Sequence, residues 1–248
     1  MRNIFKILFV IIALFIVSCI KYDNPYETQS TEIELIEKFS INVEEPSGLA
    51  IDAEKGVLYT VSDNTNNVYK ITKQGKILQE YQINADDLEG ICIFGSNLLL
   101  ANERSKQLIS YNILSQSSTV YSINYTNTSE NSGFEGVTYN EKQKTIYVIN
   151  EKQPGELLEL DLNFVVKKIT KLDFANDYSG IFYDSQNDYL WIVSDESSTI
   201  NKCYTNGDLI KSYKINVTKC EGIAIDSETG YIYLVSDSDA EMYVYKIK

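Results

Sequence analysis

Carboxylates recur in this 248-residue chain at two fixed places relative to a glycine, and the chain contains no histidine. The first place is the residue directly before the glycine: Ser47, Glu89, Glu135, Ser179 and Glu221 precede Gly48, Gly90, Gly136, Gly180 and Gly222. The second lies 15 residues after the glycine, or 13 in the second unit, and holds Asp63, Glu103, Glu151, Asp195 and Asp237. Eight of these ten positions are acids. Oxygen donors without a soft partner suit a hard cation, and Ca²⁺ accepts the irregular shell of about six to eight oxygens that such a set offers. The expected metal ligands are therefore Glu89, Glu135, Glu221, Asp63, Glu103, Glu151, Asp195 and Asp237, with the amide oxygens of Asn64, Asn102 and Asn150 available to complete a shell. The competing reading is that acids at loop-strand junctions are solvated and keep the protein soluble. Crowding so many like charges is unfavourable unless a cation compensates them, which favours the metal.

Without imidazole there is no Ser-His-Asp or Cys-His relay, no HExxH zinc protease and no His-ligated transition metal. With 35 acids against 22 bases, the formal net charge is −13. That balance argues against nucleic acid and anionic lipid as general partners, because both are held chiefly by Lys and Arg neutralising phosphate. Two bases stand beside the acids: Arg104 follows Glu103 and Lys152 follows Glu151. They are candidates for holding an anionic group at the same mouth, or, in the favoured reading, for pairing with the neighbouring carboxylates.

Elements must bring these positions together, and a repeat supplies them. The five glycines are spaced 42, 46, 44 and 42 residues apart. Each opens an apolar alternation such as SGLAID (47–52) or EGIAID (221–226), followed by a second run such as YIYLVSD (231–237) that ends on the acid. A third and a fourth alternating run complete each unit, rich in Val, Ile and Tyr as half-buried strands are. Four short strands per unit of about 44 residues are the pattern of a β-propeller blade. The fifth unit ends after its third strand, and an unassigned alternation, IELIEKFSINV (33–43), precedes the first. The expectation is an all-β, five-bladed β-propeller closed by pairing of the N- and C-terminal strands, which removes exposed sheet edges. Six blades or an open β-sandwich are the alternatives. In a blade, the start of the innermost strand and the end of the second share one face, so the acids converge there. The glycines are read as places where blades approach too closely for a side chain. Tyr59, Tyr147, Tyr233 and Trp191 are read as packing between blades. The Asn-, Ser- and Thr-rich stretch 121–132 is read as a surface loop.

The N-terminus reads as an address. Arg2 and Lys6 precede an apolar run from Ile7 to Val17, and Ile16-Val17-Ser18-Cys19 matches a lipobox. Residues 1–18 are thus expected to be a lipoprotein signal peptide cleaved before a lipidated Cys19, with 19–32 a flexible tether and 33–248 the propeller. A plain membrane anchor is the competing reading. The expected location is the bacterial cell envelope, lipid-anchored to the outer membrane in preference to the inner, because Ile20 and not Asp follows the cysteine. The expected partners are the membrane, through the lipid, and a metal cation, with no nucleic acid; the protein is expected to be a monomer. Cys92, Cys203 and Cys220 lie in apolar runs and read as buried thiols, with a Cys203–Cys220 disulfide as the minority alternative.

The EGI and EGV starts, NER (102–104), NEK followed by QP (150–154), DYSG (177–180) and the closing EGIAID…GYIYLVSD (221–237) resemble the SdiA-regulated, YjiK/CarP-type propellers. The resemblance covers residues 33–248. It implies a five-bladed propeller distantly similar to NHL-repeat propellers and to paraoxonase-like propellers, with a calcium site on one face to which the E-G acids Glu89, Glu135 and Glu221 would contribute. It also implies an envelope role as a binding or sensing module, with calcium homeostasis suggested. Metal-dependent hydrolysis, phytase-like on phosphoesters or esterase/lactonase-like, is the alternative. Paraoxonase-like hydrolases rely on a histidine that this chain lacks, so that mechanism is not inherited. A carboxylate-pair glycosidase is a third reading, weakened because the acids repeat regularly.

Overall fold

Alternating Val-, Ile- and Tyr-rich runs become strands because one side of each can be buried against the next sheet. The computed structural model describes residues 32–126 and 132–248. The expected leader, most of the expected tether and Cys19 lie outside the described residues.

The strands group in fours. The first blade comprises β2 (Pro46–Asp52), β3 (Val57–Ser62), β4 (Asn67–Thr72) and β5 (Ile77–Gln82). The second is β6 (Leu88–Phe94), β7 (Asn97–Asn102), β8 (Gln107–Asn112) and β9 (Ser117–Ser122). The third is β10 (Phe134–Asn140), β11 (Thr145–Asn150), β12 (Glu156–Leu160) and β13 (Val166–Lys171). The fourth is β14 (Gly180–Asp184), β15 (Tyr189–Ser194), β16 (Thr199–Tyr204) and β17 (Leu209–Lys214). The last sheet has the order β1-β20-β19-β18, with β18 (Cys220–Asp226), β19 (Tyr231–Ser236) and β20 (Glu241–Ile247) completed by β1 (Ile33–Ser40). Strand β1 lies antiparallel on β20, from Ile33 opposite Ile247 to Ser40 opposite Glu241. The chain is therefore an all-β propeller of five blades closed by its two ends, which disposes of the six-bladed and open-sandwich alternatives.

Five apolar clusters hold the ring, one at each blade interface. Tyr59, Tyr147, Tyr233 and Trp191 each belong to a different cluster and are buried. Packing residues from adjacent sheets makes each interface depend on both blades, so closure by β1 secures the last one. Cys92, Cys203 and Cys220 are buried free thiols. Cys203 and Cys220 belong to different clusters.

The stretch 121–132 is only partly the surface loop that its composition suggests. Ile123 and Tyr125 are buried with Phe134, and Ser132 is buried against Lys152. Ile123 and Tyr125 thus anchor the start of the connection, and the polar Ser132 anchors its end.

At the axis the innermost strands meet through glycine. A Cβ on Gly48 would stand 2.6 Å from the Glu89 carbonyl oxygen, and one on Gly90 would stand 2.8 Å from Gly136 Cα. The channel narrows there to a space of about 10 Å³ lined by the five glycines and their neighbours, about one water's worth. This constriction lies between the acidic face and the opposite face.

Candidate metal centre

The acid before each glycine is aimed by a bulge. In β6, β10 and β18 the ladder skips one residue between Leu88 and Gly90, Phe134 and Gly136, and Cys220 and Gly222. The skipped residues are Glu89, Glu135 and Glu221. A bulged residue is left out of the pairing and its side chain is redirected, which turns these carboxylates to the axis. Blade four has no bulge; its Ser179 hydroxyl instead donates to the Cys220 carbonyl oxygen at 2.6 Å. Ser47 stands beside Glu89 across the first interface and favours its ionised form. Asp63, Glu103, Glu151, Asp195 and Asp237 each directly follow the second strand of their blade.

The predicted acids are drawn together unequally. Glu89 and Glu103, with Asp87, form a group whose carboxylate oxygens all lie within 4.8 Å of one another. Glu103 also lies close enough to Asp87 and Glu135 for each to perturb its ionisation. Glu221 feels Asp195, Asp237 and Asp177, and Asp63 feels Glu45 and Asp237. The Oδ1 atom of Asp63 is buried without a hydrogen-bond partner among the described residues. Glu151 is ion-paired with Lys152 at 2.7 Å, and Lys152 reaches Glu196 at 3.0 Å. Arg104 Nε is 2.8 Å from Asp87 Oδ2.

Burial followed by mutual repulsion sets the electrostatics. Burial pushes Glu221 up to about 8, with Asp195 the next cause. Burial and the neighbouring Asp87 carboxyl raise Glu103 to about 7. Burial with the Glu45 and Asp237 charges takes Asp63 to about 6. Glu89 and Glu135 are held well above the ordinary carboxylate value, first by burial and then by the neighbouring carboxylates. Like charges this close cannot all ionise without a counter-ion, so protons or a cation must be shared among them.

Asp87 was not among the acids singled out from the sequence. It is buried, its N–H donates to Asn102 Oδ1 at 3.1 Å, and its carbonyl accepts from the Glu103 N–H at 2.9 Å. A signal existed: Glu45, Asp87 and Asp177 all stand three residues before the repeat glycine. Asn102 and Asn150 serve the scaffold, with Asn102 Nδ2 donating to Ser105 at 2.7 Å and Asn150 Nδ2 donating to Ser132 at 3.0 Å and to the Pro154 carbonyl at 2.7 Å.

A calcium ion bonds oxygens at about 2.3–2.6 Å, so two of its ligands stand at most about 5 Å apart. The Asp87, Glu89 and Glu103 oxygens meet that limit, and the all-oxygen donor set fits such an ion.

A family model described as SdiA-regulated matches residues 24–246. The chain belongs to the SdiA-regulated family. Among solved structures, this SdiA-regulated propeller is similar to the glutaminyl cyclase of Myxococcus xanthus, with 10% identity, a TM-score of 0.68, and coverage of 86% of this chain and 95% of that one. It is similar to a chain of a nidogen/laminin complex at 12% identity and TM-score 0.57, covering 81% and 79%. It is also similar to the virginiamycin B lyase of Staphylococcus aureus at 17% identity and TM-score 0.50, covering 82% of this chain and 66% of the lyase. At these identities the likeness is one of fold.

Proposed function

We propose that this SdiA-regulated propeller is a calcium-binding module of the bacterial envelope, tethered through a lipid on Cys19, and that it binds or senses calcium on its acidic face. The observation that carries this reading is the group Asp87, Glu89 and Glu103, with carboxylate oxygens within 4.8 Å of one another. Glu135, whose charge acts on Glu103 and Glu89, is the next candidate donor. In the absence of a cation these acids share protons. Calcium supplies the positive charge that lets them ionise together. Because Arg104 and Lys152 are engaged by carboxylates, the binding reading is favoured over hydrolysis of an anionic ester.

Titration of Ca²⁺ into the purified full chain, followed by calorimetry and thermal melting, tests the reading. A ligand at about 100 times its Kd stabilises the native state by about 2.7 kcal/mol, or about 5–10 °C in Tm for a domain of this size. No heat and an unmoved Tm would refute it, as would unchanged binding in Glu89→Gln/Glu103→Gln. Mass spectrometry of the membrane-extracted protein tests the tether, which requires a diacylglyceryl adduct on Cys19.

A further inference from the structure

The face opposite the acidic ring carries a second concavity. Where the strands diverge beyond the glycine waist, all five blades line a funnel of about 540 Å³. Small-molecule sites span about 300–1,000 Å³. Ile51, Ile93, Ile181, Phe182 and Ile225 contribute apolar surface to its lining, and Tyr139 adds a second ring whose orientation is fixed by an edge contact with Phe94 at 4.8 Å between centroids.

Its rim is acidic. The lining contains the carboxylates Asp52, Glu54, Glu141, Asp226 and Glu228 against the single base Lys55. Lys55 is held by Asp52 at 2.6 Å, and Lys73 by Asp226 at 2.7 Å. Lys142 donates to the Ser185 carbonyl. Even with Lys73 and Lys142 counted beside Lys55, five carboxylates against three ammoniums leave a surplus of two negative charges. Glu54, Glu141 and Glu228 are exposed and form no ion pair among the described residues. They come from the first, third and fifth blades, on the hairpins between the first and second strands. A concave, low-dielectric wall focuses the field of such a rim on whatever enters.

We propose that this funnel is a binding site for a small organic ammonium with an apolar body, seated on the Ile and Phe182 wall with its charge among Glu54, Glu141 and Glu228. An anion would be repelled by the rim, and a neutral apolar ligand would leave the rim without a role. Tyr139 and Phe182 offer π faces that favour a cation further. The glycine waist lies between this site and the proposed calcium site, and the proposal does not rest on calcium binding.

Calorimetry on the full chain with 4-phenylbutylammonium, 4-phenylbutanol and 4-phenylbutyrate, together with isoleucine-methyl NMR, tests the proposal. The ammonium is expected to bind saturably, at least about tenfold tighter than the carboxylate, and to shift the Ile51, Ile93 and Ile225 methyls. The exposed triple variant Glu54→Gln/Glu141→Gln/Glu228→Gln should weaken the ammonium about five- to tenfold and leave the alcohol unchanged. No saturable ammonium binding would overturn the proposal. Equal affinity for the carboxylate, insensitivity to the triple change, or shifts confined to residues around Glu89 and Glu221 would overturn it as well.

Discussion

Replacing Glu221 with Gln should stabilise the metal-free protein at alkaline pH and barely affect it at acid pH. Burial and the Asp195 charge raise the Glu221 carboxyl from 4.5 to about 8 in the folded chain. Between those values the folded state holds a proton that the unfolded state has lost. Stability therefore falls as pH rises through that window, and the loss is complete above about 8. The gap converts to at most about 5 kcal/mol. Because the side chain is partly open to solvent, roughly half of that, about 2 kcal/mol, is the working figure. A neutral amide removes this penalty, so Tm in EDTA should rise by about 4–8 °C at pH 8.5 and by about 1 °C or less at pH 5. Asp63 at about 6 and Glu103 at about 7 act with the same sign, so the wild-type protein itself should lose stability from pH 5 to 8.5 without metal. Saturating Ca²⁺ should erase or reverse the gain, since a neighbouring anion is lost. Differential scanning calorimetry across that range decides the matter. A wild-type Tm that climbs with pH in EDTA, or an equal gain for the variant at pH 5 and 8.5, would refute the reasoning.

Gly90→Ala places a Cβ 2.8 Å from Gly136 Cα and Val137 N, so two blades must part; the expected loss is about 1–3 kcal/mol, read as a lower urea midpoint. Arg104→Ala frees the Asp87 carboxylate from its 2.8 Å partner. Calcium affinity should then rise about two- to fivefold by calorimetry, the range of an exposed ion pair, whereas a fall would mean that the base assists binding. Burial pushes the Cys203 thiol up to about 12 and raises Cys92 and Cys220. A thiol reagent followed by mass spectrometry should therefore label these three only in denaturant.

Blade number, strand order and the closing role of residues 33–40 were legible because each rests on neighbours in the chain. Period-two alternation, a glycine every 42–46 residues and a unit one strand short are local facts, and a propeller is the closed arrangement that satisfies them. The concentration of acids on one face followed from the same register. The sequence alone could not reveal the bulges at Glu89, Glu135 and Glu221, because an alternating pattern does not show where the ladder drops a residue. Nor did it single out Asp87, whose value lies in its distance to Glu89 and Glu103. Asn102 and Asn150 looked like spare oxygen donors, yet Asn102 Oδ1 accepts from the Asp87 N–H and Asn150 Nδ2 donates to the Pro154 carbonyl of its own loop. The 121–132 stretch looked solvated because its composition is polar, although two of its few apolar residues, Ile123 and Tyr125, anchor it.

What the amino-acid sequence determined by itself was the ring and the face on which charge would gather. The tertiary structure decided which carboxylates come within reach of one ion, how far burial resists their ionisation, and that the opposite end of the channel opens into a funnel with isoleucine and aromatic side chains in its lining and an acidic rim. The physical reason is that metal ligation and pKa depend on distances of a few ångströms between residues from separate blades. Those distances exist only after the five blades have packed and β1 has closed against β20.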